Sequence, residues 1–188
     1  SIYLNKKNYQ VTGVDLSKES IEAAQLSANE TLNFDTHDMR QLYKRNNFDY
    51  IFNLFTSFGY FEEDEEDIKV LKAVNQGLKS NGIFVFDYLN SKFVTKTLQP
   101  RAIIKRGEIN FEITKSIEND FVVKNIDFED KGQTYHFQER VKLLSLEKLE
   151  YYFLAANLKI DKTFGDYHLN SFEKNSSQRL IIKAQKIE

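Results

Sequence analysis

One carboxylate stands where it could do chemistry. Asp15 follows the apolar residues 10–14, which read as a buried strand, and precedes Ser17, a good N-cap for the amphipathic residues 18–29. An acid at the carboxyl end of such a strand can accept both hydrogen bonds of a ribose diol. Asp15 is therefore expected to hold the ribose of a nucleotide-like cofactor, the alternative being that it only caps the turn. Other chemistries have less support. His37, His136 and His168 lack the spacing of metal ligands, and no cysteine is present for thiolate catalysis, disulfides or zinc–thiolate sites. The acidic residues 62–67 invite a metal or partner role, but acids in a first helical turn complement the helix dipole, which is the plainer account.

The elements that must position Asp15 follow an α/β grammar. Residues 1–7 look like the tail of a helix, residues 31–34 make a brief strand, and Thr36-His-Asp-Met-Arg40 turns after it. Residues 48–55 form a nearly continuous aromatic and aliphatic run, as expected of a central strand covered on both faces. The loop Thr56-Ser-Phe-Gly-Tyr60 leads to a helix with Ile68, Leu71, Val74 and Leu78 inward, and residues 83–88 read as another buried strand carrying an acid at its end. From about residue 91 the period changes to two. Alternation at 110–115, 121–128 and 135–141, broken by short polar turns, predicts an antiparallel meander that buries one face. Ser145 then caps a helix with Leu146, Leu149, Phe153 and Ala156 on one side, and strands at 158–164 and 180–184 end the chain. Residues 1–90 and 144–188 are thus read as one α/β domain, with 91–143 as an insertion.

Composition narrows the partners. With 26 basic against 28 acidic residues and a net charge of −2, nothing electrostatic favours nucleic acid or an anionic membrane, and a small-molecule partner is expected. No apolar run approaches the roughly 20 residues that span a bilayer, so a cytoplasmic protein is expected.

Val11-Thr-Gly-Val-Asp-Leu-Ser17, Asp38-Met-Arg40, Phe48-Asp-Tyr-Ile51, Leu78-Lys-Ser-Asn-Gly82 and Gly165-Asp-Tyr167 occur in an order that resembles the class I S-adenosylmethionine-dependent methyltransferases over nearly the whole chain. The loop Phe55-Thr-Ser-Phe-Gly-Tyr60 and the meander look most like the small-molecule branch that includes amino-sugar N-methyltransferases. The resemblance implies a Rossmann-like sheet with helices on both faces, S-adenosylmethionine as cofactor and a small-molecule nitrogen or oxygen nucleophile as acceptor. It places Asp15 on the ribose hydroxyls, Leu16 against the adenine, Asp38 on the adenine amino group and the Met39 amide on a ring nitrogen. Asn53, Leu54 and Phe55 would lie along the methionine moiety.

Methyl transfer is an in-line displacement that needs alignment and desolvation rather than a covalent residue. Tyr60 and His168 are the candidates to assist deprotonation of the acceptor, and Tyr60, Tyr88 and Tyr167 the candidates to touch it. The meander is expected to cover the acceptor or to form a homodimer face. The family pattern also places a first strand and a glycine-rich turn ahead of Ser1, between the second and fourth strands, so about 40 further residues are expected upstream and the 188 residues alone are expected to bind the cofactor poorly. Two alternatives remain: an NAD(P)-dependent oxidoreductase, whose ribose Asp15 would serve equally, and a binding module that kept the fold without catalysis.

Overall fold

The computed structural model describes residues 1–187. Its chain begins with a single helical turn, α1 (Ile2–Asn5), and the unit β1 (Val11–Asp15), α2 (Lys18–Gln25) and β2 (Leu32–Thr36), with β1 and β2 parallel. Ser17 caps α2 as its sequence predicts, its hydroxyl accepting from the Ser20 amide at 3.1 Å. The helix stops four residues earlier than the apolar spacing suggests, because the Asn29 carboxamide accepts from the Thr31 amide at 2.9 Å and turns the chain into β2. Ile21, Leu32 and Phe34, flanked by Val11 and Ala24, make a small core of their own.

A second sheet holds β3 (Phe48–Asn53), β4 (Leu78–Leu89), β9 (Leu158–Phe164) and β10 (Arg179–Lys186) in the order β3-β4-β10-β9. β3 and β4 run parallel, whereas β10 is antiparallel to both of its neighbours. Among the described residues no strand bridges β1 and β3, and each keeps one unpaired edge. The helices α3 (Asp64–Gly77) and α5 (Leu146–Ala155) cover one face of this sheet, where Ile51, Phe84, Phe86, Tyr88, Leu180 and Ile182 meet Val70, Leu71, Leu149 and Phe153 in the main core. The opposite face of β3 is open, with Tyr50 52% and Phe52 45% exposed. Coverage on both faces, expected from the continuous apolar run, is therefore not seen. Aromatic residues suit the pleated surface as well as the interior, so the run marks a strand without saying how many faces are buried.

The segment after β4 starts with a short helix, α4 (Ser91–Thr97), and continues as β5 (Arg101–Arg106), β6 (Ile109–Glu118), β7 (Phe121–Asp130) and β8 (Gln133–Lys142), an antiparallel sheet in sequence order. The meander has four strands where the alternation predicts three. The far end of β8 ties it to the rest of the molecule, since the Lys142 amide donates to the Gly59 carbonyl at 2.8 Å and the Lys142 carbonyl accepts from the Tyr88 hydroxyl at 2.7 Å. Gly59 is required there. Its φ is +76°, and a Cβ would stand 2.2 Å from the Tyr88 hydroxyl. No helix among the described residues is long and apolar enough to cross a membrane.

Candidate functional site

The C-terminal ends of the parallel strands supply the site. At the end of β1, one oxygen of the exposed Asp15 carboxylate accepts from the Ser17 amide at 2.8 Å. Its other oxygen has no hydrogen-bond partner among the described residues and is free for a ligand. Leu16, beside it, is 70% exposed. After β2, Asp38 is half-buried and already engaged, because the Arg40 side chain approaches both carboxylate oxygens at 2.6–3.1 Å while the Arg40 amide donates to one at 2.9 Å. Arg40 continues to Glu66 of α3 at 2.7 Å, and Met39 packs on the main core. An adenine amino group would therefore share Asp38 with Arg40 or displace it.

The Arg40 hydrogen bonds lower the Asp38 carboxyl from 3.8 to about 2. A depressed acid contributes stability that is present above pH 3.8 and lost as the pH falls through about 2. Because the pair is partly exposed, Asp38→Asn should cost only about 0.5–1 kcal/mol near neutrality, and the difference from wild type should vanish toward pH 2 in acid-unfolding titrations. Coincident titrations of the two proteins would show that the pair contributes nothing.

At the end of β3, Asn53 donates from Nδ2 to the Ser57 carbonyl at 2.8 Å, while its Oδ1 is buried without a partner among the described residues. A buried acceptor left open carries a desolvation cost of about 1–3 kcal/mol, which a ligand donor would relieve. Leu54 is half-buried, and Phe55 and Thr56 both lie in the left-handed region, with φ of 60° and 67°. A bulky and a β-branched residue in succession there carry strain of about 1–3 kcal/mol each.

Asp87 of β4, only 1% exposed, holds this turn. Its carboxylate accepts from the Phe55 amide at 2.9 Å, the Arg179 guanidinium at 2.8 Å and the Tyr167 hydroxyl at 3.0 Å, and its carbonyl accepts from the Thr56 amide at 3.0 Å. Arg179 also donates to the Thr56 hydroxyl at 2.9 Å. Tyr60 completes the loop by donating to the Thr56 carbonyl at 3.2 Å. Burial pushes the Tyr60 hydroxyl up, and the charges of Glu139 on β8 and Asp15 on β1 push the same way.

The structure thus brings Asp15, Phe55, Tyr60 and Tyr167 to one end of the molecule and treats two other candidates differently. Tyr88, expected beside the acceptor, is wholly buried in the main core with its hydroxyl bonded to Lys142. His168 is exposed, and among the described residues its one hydrogen bond runs from its backbone amide to the Asp166 carboxylate at 2.9 Å. Asp87 and Arg179 were not singled out in the sequence. Asp87 carried a signal, a charge inside an apolar strand, whereas Arg179 at the start of β10 carried none. A cavity of about 490 Å³ lies against Thr12, Asn33, Asp35 and Tyr43 of the β1–β2 unit and is lined by none of the candidates.

In open α/β folds ligands bind outside the carboxyl ends of the strands, and here those ends present a carboxylate oxygen and an amide oxygen without partners among the described residues. The family described as "Methyltransferase domain" matches residues 1–82. YqeM of Bacillus subtilis (strain 168), named as a candidate methyltransferase, is 26% identical over 99% of this chain and 79% of its own length. An S-adenosylmethionine-dependent methyltransferase from Clostridium acetobutylicum ATCC 824 superposes with a TM-score of 0.81 at 22% identity, covering 94% of this chain and 75% of that one. The sugar N-methyltransferase KedS8 from Streptoalloteichus sp ATCC 53650 gives 0.73 at 16% identity, covering 94% and 71%. Residues 1–82 thus match a methyltransferase domain, and the chain shares the fold of solved S-adenosylmethionine-dependent methyltransferases.

Proposed function

We propose that the protein transfers the methyl group of S-adenosylmethionine to a small-molecule nitrogen or oxygen nucleophile held between the residue 55–60 loop, Tyr167 and the meander. The observation that carries this reading is the pair of open acceptors at the strand ends, the free Asp15 oxygen and the buried Asn53 Oδ1, which suit a ligand bearing hydroxyl and ammonium hydrogens. Asp15 would hold the ribose hydroxyls, Asp38 and Met39 the adenine, and Asn53, Leu54 and Phe55 the methionine portion. When bound, the sulfonium supplies an activated methyl group.

The chain's own work is alignment and exclusion of water. Phe55, 74% exposed, offers an aromatic face toward a cation, and Tyr60 and Tyr167 offer hydroxyls to orient an acceptor. His168 is proposed only as an outer proton carrier. We also propose that the meander covers the acceptor, since Arg140 pairs with Glu62 and the Lys142 amide binds Gly59, both in the segment that carries Tyr60. The likeness to a sugar N-methyltransferase supports an amine on a sugar as the first acceptor to try. Incubating the intact protein with methyl-labelled cofactor and a panel of amino sugars, hydroxylated small molecules, RNA and protein should label a small molecule. Label appearing only in RNA or protein would overturn the proposal.

A further inference from the structure

We infer that Asp87 is a positioning residue for the methionine half of the cofactor site, acting through the left-handed turn Phe55–Thr56. This deepens the proposed function and rests on its placement of the cofactor. Asp87 lies on the sheet face opposite the main core, paired across from Ile181, and on the face that leaves Phe52 exposed it is nonetheless buried. It is buried by the groups it binds. Three separate segments converge on it: the loop after β3 through the Phe55 and Thr56 amides, the β9–β10 loop through Tyr167, and the start of β10 through Arg179.

Neither Phe55 nor Thr56 would choose a positive φ unaided. Both amides of the turn end on Asp87, one on its carboxylate and one on its carbonyl, and the Arg179 that neutralises the carboxylate also holds the Thr56 hydroxyl. The carboxylate is suited to this because it only accepts, and here it receives an amide, a guanidinium and a phenol. An amide of the same shape would turn an NH₂ group toward at least one of those donors. The turn would then lose its anchor while the strand ends at Asp15 and Asp38 stay in place.

The test is the binding of S-adenosylhomocysteine and of 5′-methylthioadenosine, which lacks the amino-acid portion, to intact wild-type and Asp87→Asn protein by calorimetry. Asp87→Asn should weaken S-adenosylhomocysteine by about tenfold or more, as expected when a charged buried partner is removed, and 5′-methylthioadenosine by no more than about twofold. Adding Thr56→Gly should recover about threefold of the lost affinity, because glycine takes the left-handed conformation freely. If Asp87→Asn does not fold, Tyr167→Phe removes one donor from the carboxylate and should show the same split at about threefold. Equal losses for both ligands, or no loss in folded protein, would assign Asp87 to general structure and overturn the inference alone. Failure of the wild type to bind either ligand would overturn the site placement itself.

Discussion

Lys142→Met is expected to cost about 3–5 kcal/mol of folding stability, because it strips the counter-charge from a buried carboxylate. Lys142 Nζ lies 2.7 Å from an oxygen of Asp67, which is fully buried in the first turn of α3, and 3.4 Å from Asp64. Methionine keeps the length and flexibility of the stem but leaves Asp67 ionised and unpaired above its pKa. Burial already pushes the Asp67 carboxyl up, against the opposing pull of Lys142, so in the variant it must rise further. An acid with a raised folded-state pKa lowers stability as the pH climbs past its unfolded value, 3.8, and the loss should therefore shrink as the pH is lowered toward 4. Urea unfolding of the intact protein at pH 8 and pH 5 measures both effects. Lys142→Met/Asp67→Asn should recover part of the loss, since no charge is then left bare. A loss below about 1 kcal/mol at pH 8 would mean that water reaches the pair and that the meander is anchored by its backbone contacts to Gly59.

Asp15→Ala should weaken S-adenosylmethionine binding by about 1.5–3 kcal/mol, roughly ten- to a hundredfold, by removing the proposed acceptor of the ribose hydroxyls. Stability should change little, because the one hydrogen bond that the Asp15 side chain makes among the described residues, accepted from the Ser17 amide, sits in an exposed turn whose helix remains capped by the Ser17 hydroxyl. Asp38→Ala should weaken binding less. Its carboxylate is shared with Arg40, so part of what the nucleoside gains there is lost to the displaced ion pair. Calorimetric titration of the two variants ranks them, and undiminished affinity in Asp15→Ala would remove the ribose assignment.

Local chemistry was the legible part of this sequence. Ser17 and Ser145 were readable as caps because a hydroxyl ahead of an amphipathic run has one good use, and both hydroxyls accept from the amide three residues on. The strand carrying Asp15 was readable because an apolar run followed by an acid and a cap leaves few geometries. β5 was hidden. Ile103 and Ile104 fall on opposite faces, so Arg101–Arg106 shows no alternation, and its pairing with β6 rather than its pattern makes it a strand. The choice between Asp87 and Tyr88 was also out of reach. Neighbours in a strand point to opposite faces, and which face meets the site depends on where α3 and α5 settle, a matter of packing between distant segments. The helix dipole is the plainer account of the acidic residues 62–67 in sequence, yet Glu62, Asp64, Glu66 and Asp67 each find a cation from elsewhere in the chain. Those partners lie at separations that no local pattern reveals.

The two cores described above differ greatly in size, and this sets how the molecule breathes. Ile21, Leu32 and Phe34 hold β1, α2 and β2 together, while the larger cluster around Phe84, Phe86 and Phe153 holds the β3-β4-β10-β9 sheet to α3 and α5. Units with few buried apolar groups open at a lower free-energy cost than the global unfolding reaction. The unit that carries Asp15 is thus expected to open before the main core, and Asp38, at the junction where Arg40 reaches Glu66, sits on the seam between the two. A ligand bridging Asp15 and the Phe55 turn would fasten the weaker unit to the stronger one, so that binding raises the cooperativity of the whole fold as well as filling the site.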